Sequence, residues 1–147
     1  MLDILRVINK YKCATLFGGL KLIKLRFKNP YSKISHRTSI KFIDFNQIKI
    51  GLRCSINDYN VIVIVDDLKN NLNNSFLEIG DDTYIGEFNN IRASGGYVKI
   101  GNNCLISQHV TLIASNHGIK KDTLIRNQPW SQISNSIVIR GYNDFLF

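Results

Sequence analysis

No stretch of this 147-residue chain approaches the ~20 uninterrupted apolar residues that a bilayer-spanning helix requires, so no transmembrane helix is expected. The cysteines are too few and wrongly spaced for other scaffolds. Cys13, Cys54 and Cys104 form no CxxC pair and are odd in number, which argues against a disulfide framework and against a zinc site. A reducing cytoplasm fits that usage best. The N-terminus has no separate apolar segment followed by a small-residue cleavage site, which argues against a secretory signal. Acids are also scarce there: residues 1–33 hold eight Lys/Arg against Asp3 alone, whereas residues 34–147 hold eleven against ten acids. The net charge of +8 is therefore a property of the N-terminus. A solvated face on a docking helix explains it, and a contact with anionic lipid is the sharper alternative. Known nucleic-acid motifs are missing from that segment, so no nucleic-acid partner is expected.

What is present suits a folded domain. An apolar fraction of 44% and a charged fraction of 20% are ordinary for a globular chain, and the length is that of one domain. A period of six runs through it. Ile34 and Ile40 obey it, as do Ile50, Ile56 and Ile62, then Ile79, Ile85 and Ile91, then Ile100, Ile106 and Leu112, eleven positions in all. Glycine follows the aliphatic anchor at Gly51, Gly80, Gly86 and Gly101, and Asn or Asp often comes next. Helices repeat apolar residues at three and four and flat strands at two, so a strict six points instead to a short strand followed by a turn. Three such units make a triangular coil of about 18 residues, with coils stacking at the ~4.8 Å strand spacing and the anchors inside.

Departures from the period locate insertions. One is the polar stretch at 66–74, and the larger spans about 115–135 and carries His117 and "NQPW". Long insertions on a stacked core are commonly functional, so the second is the place to look for chemistry. Cys54 and Cys104 both sit four residues after an anchor, a position shared with Thr38, Thr83 and Val110, and read as packing residues. Residues 1–28 abandon the repeat. Leu5, Ile8, Leu16, Leu20, Ile23 and Phe27 stand at helical spacings, Gly18-Gly19 is expected to divide the segment into two helical pieces, and Asn29-Pro30 to end it. The expected organisation is a basic helical cap at 1–30, a repeat region at 31–139 and a non-repeat tail at 140–147. The cap covers the open end of the stack, with a peripheral membrane contact as the alternative.

The stretch "IGDDTYIGEFNNIRASGGYVKIGNNCLISQHVTLIASNHGI", residues 79–119, resembles the core of the hexapeptide-repeat acetyltransferases. It is most similar to the maltose/galactoside O-acetyltransferase-like branch, which includes exopolysaccharide and O-antigen acetyltransferases. The resemblance implies a left-handed parallel β-helix, a homotrimer with sites between subunits, acetyl-CoA as donor, a sugar hydroxyl as acceptor and no metal. Acetyl transfer from a thioester to an alcohol needs a base that takes the hydroxyl proton, and neutral imidazole titrates in the right range. By its place in "ASNHGI", His117 matches the family's catalytic histidine. His109 reads as a surface or subunit-contact residue, and His36 has no supporting context.

Asn89 corresponds to the position where the family's sugar acetyltransferases contact the acceptor. An internal Asn bonded to its own turn is the equal alternative, and Asn90 could exchange roles with it. Arg126 and Trp130 could line the acceptor or donor path, with subunit packing an equal reading of Trp130. After Ile139 the family pattern stops: Arg140 stands where Gly is expected and no further hexad follows, which suggests a truncated or frame-shifted enzyme. The expected function is acetyl transfer in surface-polysaccharide assembly in the cytoplasm or at the inner face of the membrane. A non-catalytic β-helix scaffold is the alternative.

Overall fold

The computed structural model describes residues 18–67, 74–114, 116, 118–130 and 136–141. Twelve short strands lie among them, in three parallel sheets of four. The first sheet holds β1 (Lys33–Ile34), β4 (Ser55–Ile56), β7 (Tyr84–Ile85) and β10 (Leu105–Ile106). The second holds β2 (Ser39–Phe42), β5 (Val61–Ile64), β8 (Asn90–Arg92) and β11 (Thr111–Ile113). The third holds β3 (Ile48–Ile50), β6 (Phe76–Ile79), β9 (Tyr97–Ile100) and β12 (Ser136–Ile139). Consecutive strands always belong to different sheets, and each visit to a sheet adds the next parallel rung. This is an arrangement compatible with a parallel β-helix.

The period of six is the cause of the register. Ile34 pairs with Ile56, Ile56 with Ile85 and Ile85 with Ile106. Ile40, Ile62, Ile91 and Leu112 stack in the second sheet, and Ile50, Ile79, Ile100 and Ile139 in the third. A second inward column comes from the same alternation, with Phe42 beside Ile64 and Ile48, Leu77 and Val98 in line. Nearly all of these side chains are buried, those of the middle rungs completely. Each such burial contributes on the order of 1.5–3 kcal/mol, and similar aliphatics recurring one above another leave few voids.

Glycine after the anchor is a steric requirement. A Cβ on Gly80 would lie 2.6 Å from the Gly101 carbonyl carbon and 2.7 Å from the Asn102 nitrogen of the next rung. A Cβ on Gly51 would lie 2.6 Å from the Asp81 nitrogen. The acid or amide that follows also has a function between rungs. Leu52 N–H donates to Asp81 Oδ1 at 2.8 Å, and Asp81 N–H to Asn102 Oδ1 at 2.7 Å. Further round the turn, Arg53, Asp82 and Asn103 share a left-handed backbone with φ near 55°. The Arg53 guanidinium donates twice to Asp82 at 2.6 Å and holds that carboxyl below its ordinary range. On the third sheet, Glu78 lies between Lys49 at 2.8 Å and Lys99 at 3.6 Å, and the Lys49 hydrogen bond lowers its pKa. Surface pairs of this kind add little stability, but their stacking agrees with the register.

Helix α1 (residues 18–28) covers the first rungs. Gly18 and Gly19 are the first described residues and both are helical, and the expected division of the segment into two pieces involves residues outside the described ones. Their Cβ positions meet nothing within 4 Å, so no steric crowding requires glycine there. The helix ends at Lys28, where Asn29 donates its side-chain amide to the Leu25 carbonyl at 2.8 Å and its backbone N–H to Arg26 at 3.1 Å. Leu25, 2% exposed, and Leu22 pack on the core, while Leu20, Ile23 and Phe27 face away. The Lys21 ammonium, bonded to the Phe42 carbonyl at 2.8 Å, and Lys24 and Lys28 over the Phe45 ring fix this orientation. No helix among the described residues is long and apolar enough to cross a membrane.

Candidate functional site

The last turn of the chain around the stack contains its longest excursion, from the end of β11 to the start of β12. It leaves at Ala114, which is buried and whose N–H still donates to the Arg92 carbonyl of the rung beneath at 2.9 Å. His117, the expected base, lies outside the described residues. Its neighbours define the setting. Asn116 is exposed, and Gly118 N–H donates to the Pro129 carbonyl at 3.0 Å, closing the base of the excursion.

Gln128 holds that excursion together. Its side chain is buried, its Oε1 accepts from Lys120 N–H at 2.7 Å, and its Nε2 donates to the carbonyls of Lys120 at 3.0 Å and Thr123 at 2.7 Å. A Cβ on Gly118 would come within 2.9 Å of that same Oε1, so a side chain on the residue after His117 would displace the Gln128 amide from its bonds. The sequence reading passed over Gln128. A buried glutamine in a polar loop has no periodic signature, and only its place in "NQPW" beside the insertion could have drawn notice.

The other expected site residues are separated by the fold. Trp130, half-buried, returns the chain to the stack by packing its ring on Gly95, whose φ of 64° and lack of a side chain make room for it. Arg126 is exposed within the 3-10 turn Ile125–Asn127. Asn90 points outward from β8, level with Thr111 of β11, and accepts a hydrogen bond from Arg92 Nε at 3.1 Å. Asn89 points inward and is 1% exposed. Of its two alternatives, the geometry is that of the internal one.

Asn89 belongs to a column of polar residues at one corner. Its Nδ2 donates to the Gly86 carbonyl at 3.1 Å and its Oδ1 accepts from Val110 N–H at 2.7 Å, while its own N–H donates to Asn60 Oδ1 at 2.8 Å. Asn60 repeats the pattern one rung earlier, donating to Asn57 and Gly86 carbonyls at 2.8 and 2.7 Å. Asn89→Ala would strand the Val110 N–H in the interior, a loss of about 1–3 kcal/mol. Denaturant midpoints should show that loss for Asn89→Ala and a change within about 0.5 kcal/mol for Asn90→Ala. Equal stability of the two variants would contradict the internal role.

The neighbouring corner columns account for two cysteines and a histidine. Cys54 and Cys104 are buried, Cys54 Sγ lies 3.0 Å from the Gly80 carbonyl, and burial raises the Cys54 pKa. His109, exposed and at φ 56°, stacks on Phe88 at 5.2 Å, and Phe88 stacks on Tyr59 at 5.1 Å. The two ring contacts make His109 the outer member of a turn ladder. Compared with models of protein families, with curated proteins and with solved structures, the chain matches none.

Proposed function

We propose that this chain is a CoA-dependent O-acetyltransferase that moves an acetyl group from acetyl-CoA to a sugar hydroxyl in surface-polysaccharide assembly. The reading takes the stack as a left-handed β-helix that works as a homotrimer. One observation carries it: anchors spaced at six stack in register through three parallel sheets, and the longest excursion leaves the last rung at "ASNHGI". That combination of repeat and loop is the one the resemblance rests on.

In this reading His117 accepts the proton of the sugar hydroxyl as its oxygen attacks the thioester carbonyl. The tetrahedral oxyanion collapses, the carbon–sulfur bond breaks, and the departing thiolate takes the proton back from the imidazolium. Backbone N–H groups of the turns supply the oxyanion donors. Asn90, being outward, takes the acceptor-contacting role in place of Asn89, which supports the turn from inside. Arg126 and Trp130 stand on the excursion as liners of the donor or acceptor path. The exposed Ile119, Leu124 and Ile125 on the same excursion offer apolar surface for a neighbouring subunit.

The test is acetylation itself. Incubation with acetyl-CoA and a pool of bacterial surface saccharides should give acetylated saccharide by mass spectrometry, in proportion to thiol released. Thiol release without an acetylated saccharide would contradict the acceptor class.

A further inference from the structure

Helix α1 carries a second apolar face besides the one that docks on the core. Opposite the docked Leu25, the residues Leu20, Ile23 and Phe27 recur at i, i+3 and i+7 and are 53, 50 and 81% exposed. Tyr31, just past the helix, is 75% exposed. The lysines, in contrast, lie toward the body of the protein over Phe42 and Phe45. An apolar stripe left in water on the side of the helix away from the core calls for a partner that takes up apolar groups.

The stripe runs into two adjoining clefts. The first, about 440 Å³, is walled by Ile23, Phe27 and Pro30. Through Arg26 and Ser32, which line both, it continues into a second of about 410 Å³ on the outer side of β1 and β4, bordered by Lys33, His36 and Asn57. Arg26 and Lys33 make no ion pair among the described residues. Asp58 is the single acid on the wall, and it is already held by Ser35 and by Arg37 at 3.0 Å. Ser35 and Arg37 lower its pKa. The clefts thus pass from apolar to cationic over a few residues.

We propose that this face binds the surface of an anionic bilayer, with a lipid phosphate between Arg26, Lys33 and His36 and acyl chain against Phe27 and Ile23. Charge complementarity selects this occupant, since two unpaired cations with hydroxyl and amide neighbours suit a phosphate and the apolar cleft suits the chain it carries. The described part of the helix, residues 18–28, is not long and apolar enough to cross a bilayer, and the proposed mode is lying on the membrane. The surface is independent of the acetyl-transfer reading, and its assay needs no acetyl donor.

The probe is co-sedimentation of the full chain with vesicles of phosphatidylcholine alone or with phosphatidic acid or phosphatidylserine added. Binding should require the anionic lipid. The double variant Arg26→Gln/Lys33→Gln should bind roughly 30-fold more weakly, the loss expected for two cations removed from a membrane surface. Phe27→Ser should weaken binding about 10-fold or more, because it removes an exposed ring from the acyl region. Every substituted residue is exposed, so circular dichroism should be unchanged. Lys120→Gln/Lys121→Gln removes the same charge elsewhere and should stay within about twofold. The proposal is overturned by failure to bind anionic vesicles or by an equal loss in the Lys120/Lys121 variant. It is also overturned if millimolar inorganic phosphate abolishes binding while Phe27→Ser leaves it unchanged, since that marks a site for free phosphate.

Discussion

His117→Ala is expected to lower acetyl transfer by about 10²–10⁴-fold while leaving the unfolding midpoint where it was. The size follows from what the imidazole is asked to do. A sugar hydroxyl holds its proton too tightly to attack a thioester at neutral pH, and the base removes that proton as the carbon–oxygen bond forms. Positioning and oxyanion donors remain in the variant, so a residual rate is expected. Binding of acetyl-CoA should persist, because the donor is held by its own contacts and the loss lies in the chemical step. His109→Ala and His36→Ala serve as controls. His109 stacks on Phe88 in a turn ladder, and its loss should cost about 0.5–1.5 kcal/mol of stability with transfer retained. If His117→Ala transfers acetyl groups at the parent rate, His117 is not the base.

Gly80→Ala is expected to destabilise the fold by about 3 kcal/mol or more, whereas Gly19→Ala should stabilise it by about 0.5–1 kcal/mol. Chemically the two substitutions are the same. At Gly80 the new methyl meets backbone atoms of the next rung at 2.6 and 2.7 Å, and those atoms belong to a register held by the Gly80 N–H bond to the Ile100 carbonyl at 2.8 Å. Neither rung can yield without breaking that pairing. At Gly19 the methyl enters open space on a helix, where it only reduces the freedom of the unfolded chain. Urea denaturation of both variants checks the sign as well as the size. A destabilisation of Gly80→Ala below about 1 kcal/mol would mean that the rungs are not packed so closely.

Much of the stack was legible because its causes are local and repeated. A strand-and-turn unit of six residues announces itself by one aliphatic anchor, and the pairing of Ile34, Ile56, Ile85 and Ile106 follows from that spacing. The glycine after four of the anchors was also visible, although its reason, the approach of the next rung, emerges only from the stacked geometry. Less legible were features set by single contacts. The seating of α1 involves Lys21, Lys24 and Lys28 meeting Phe42 and Phe45, residues far off in sequence, which apolar spacing alone does not show. The 3-10 turn Phe45–Gln47, capped by Asp44, adds residues between β2 and β3 without disturbing the register on either side.

The candidate site was read less completely, and for a physical reason. Asn89 and Asn90 are adjacent in sequence, and a strand sends neighbours to opposite faces, so a shift of one residue exchanges a core amide for a surface one. The repeat phase alone left both open, and Asn89, which donates to the Gly86 carbonyl and accepts from Val110 N–H, is the inward one. Gln128 escaped notice because its importance comes from bonds to Lys120 and Thr123 within an aperiodic loop.

Titration calorimetry of the purified chain with acetyl-CoA tests the central claim most directly, since an acetyltransferase must hold its donor and a scaffold has no need to. Saturable binding that survives His117→Ala is the expected result. A folded chain that gives no heat of binding with millimolar acetyl-CoA would contradict it.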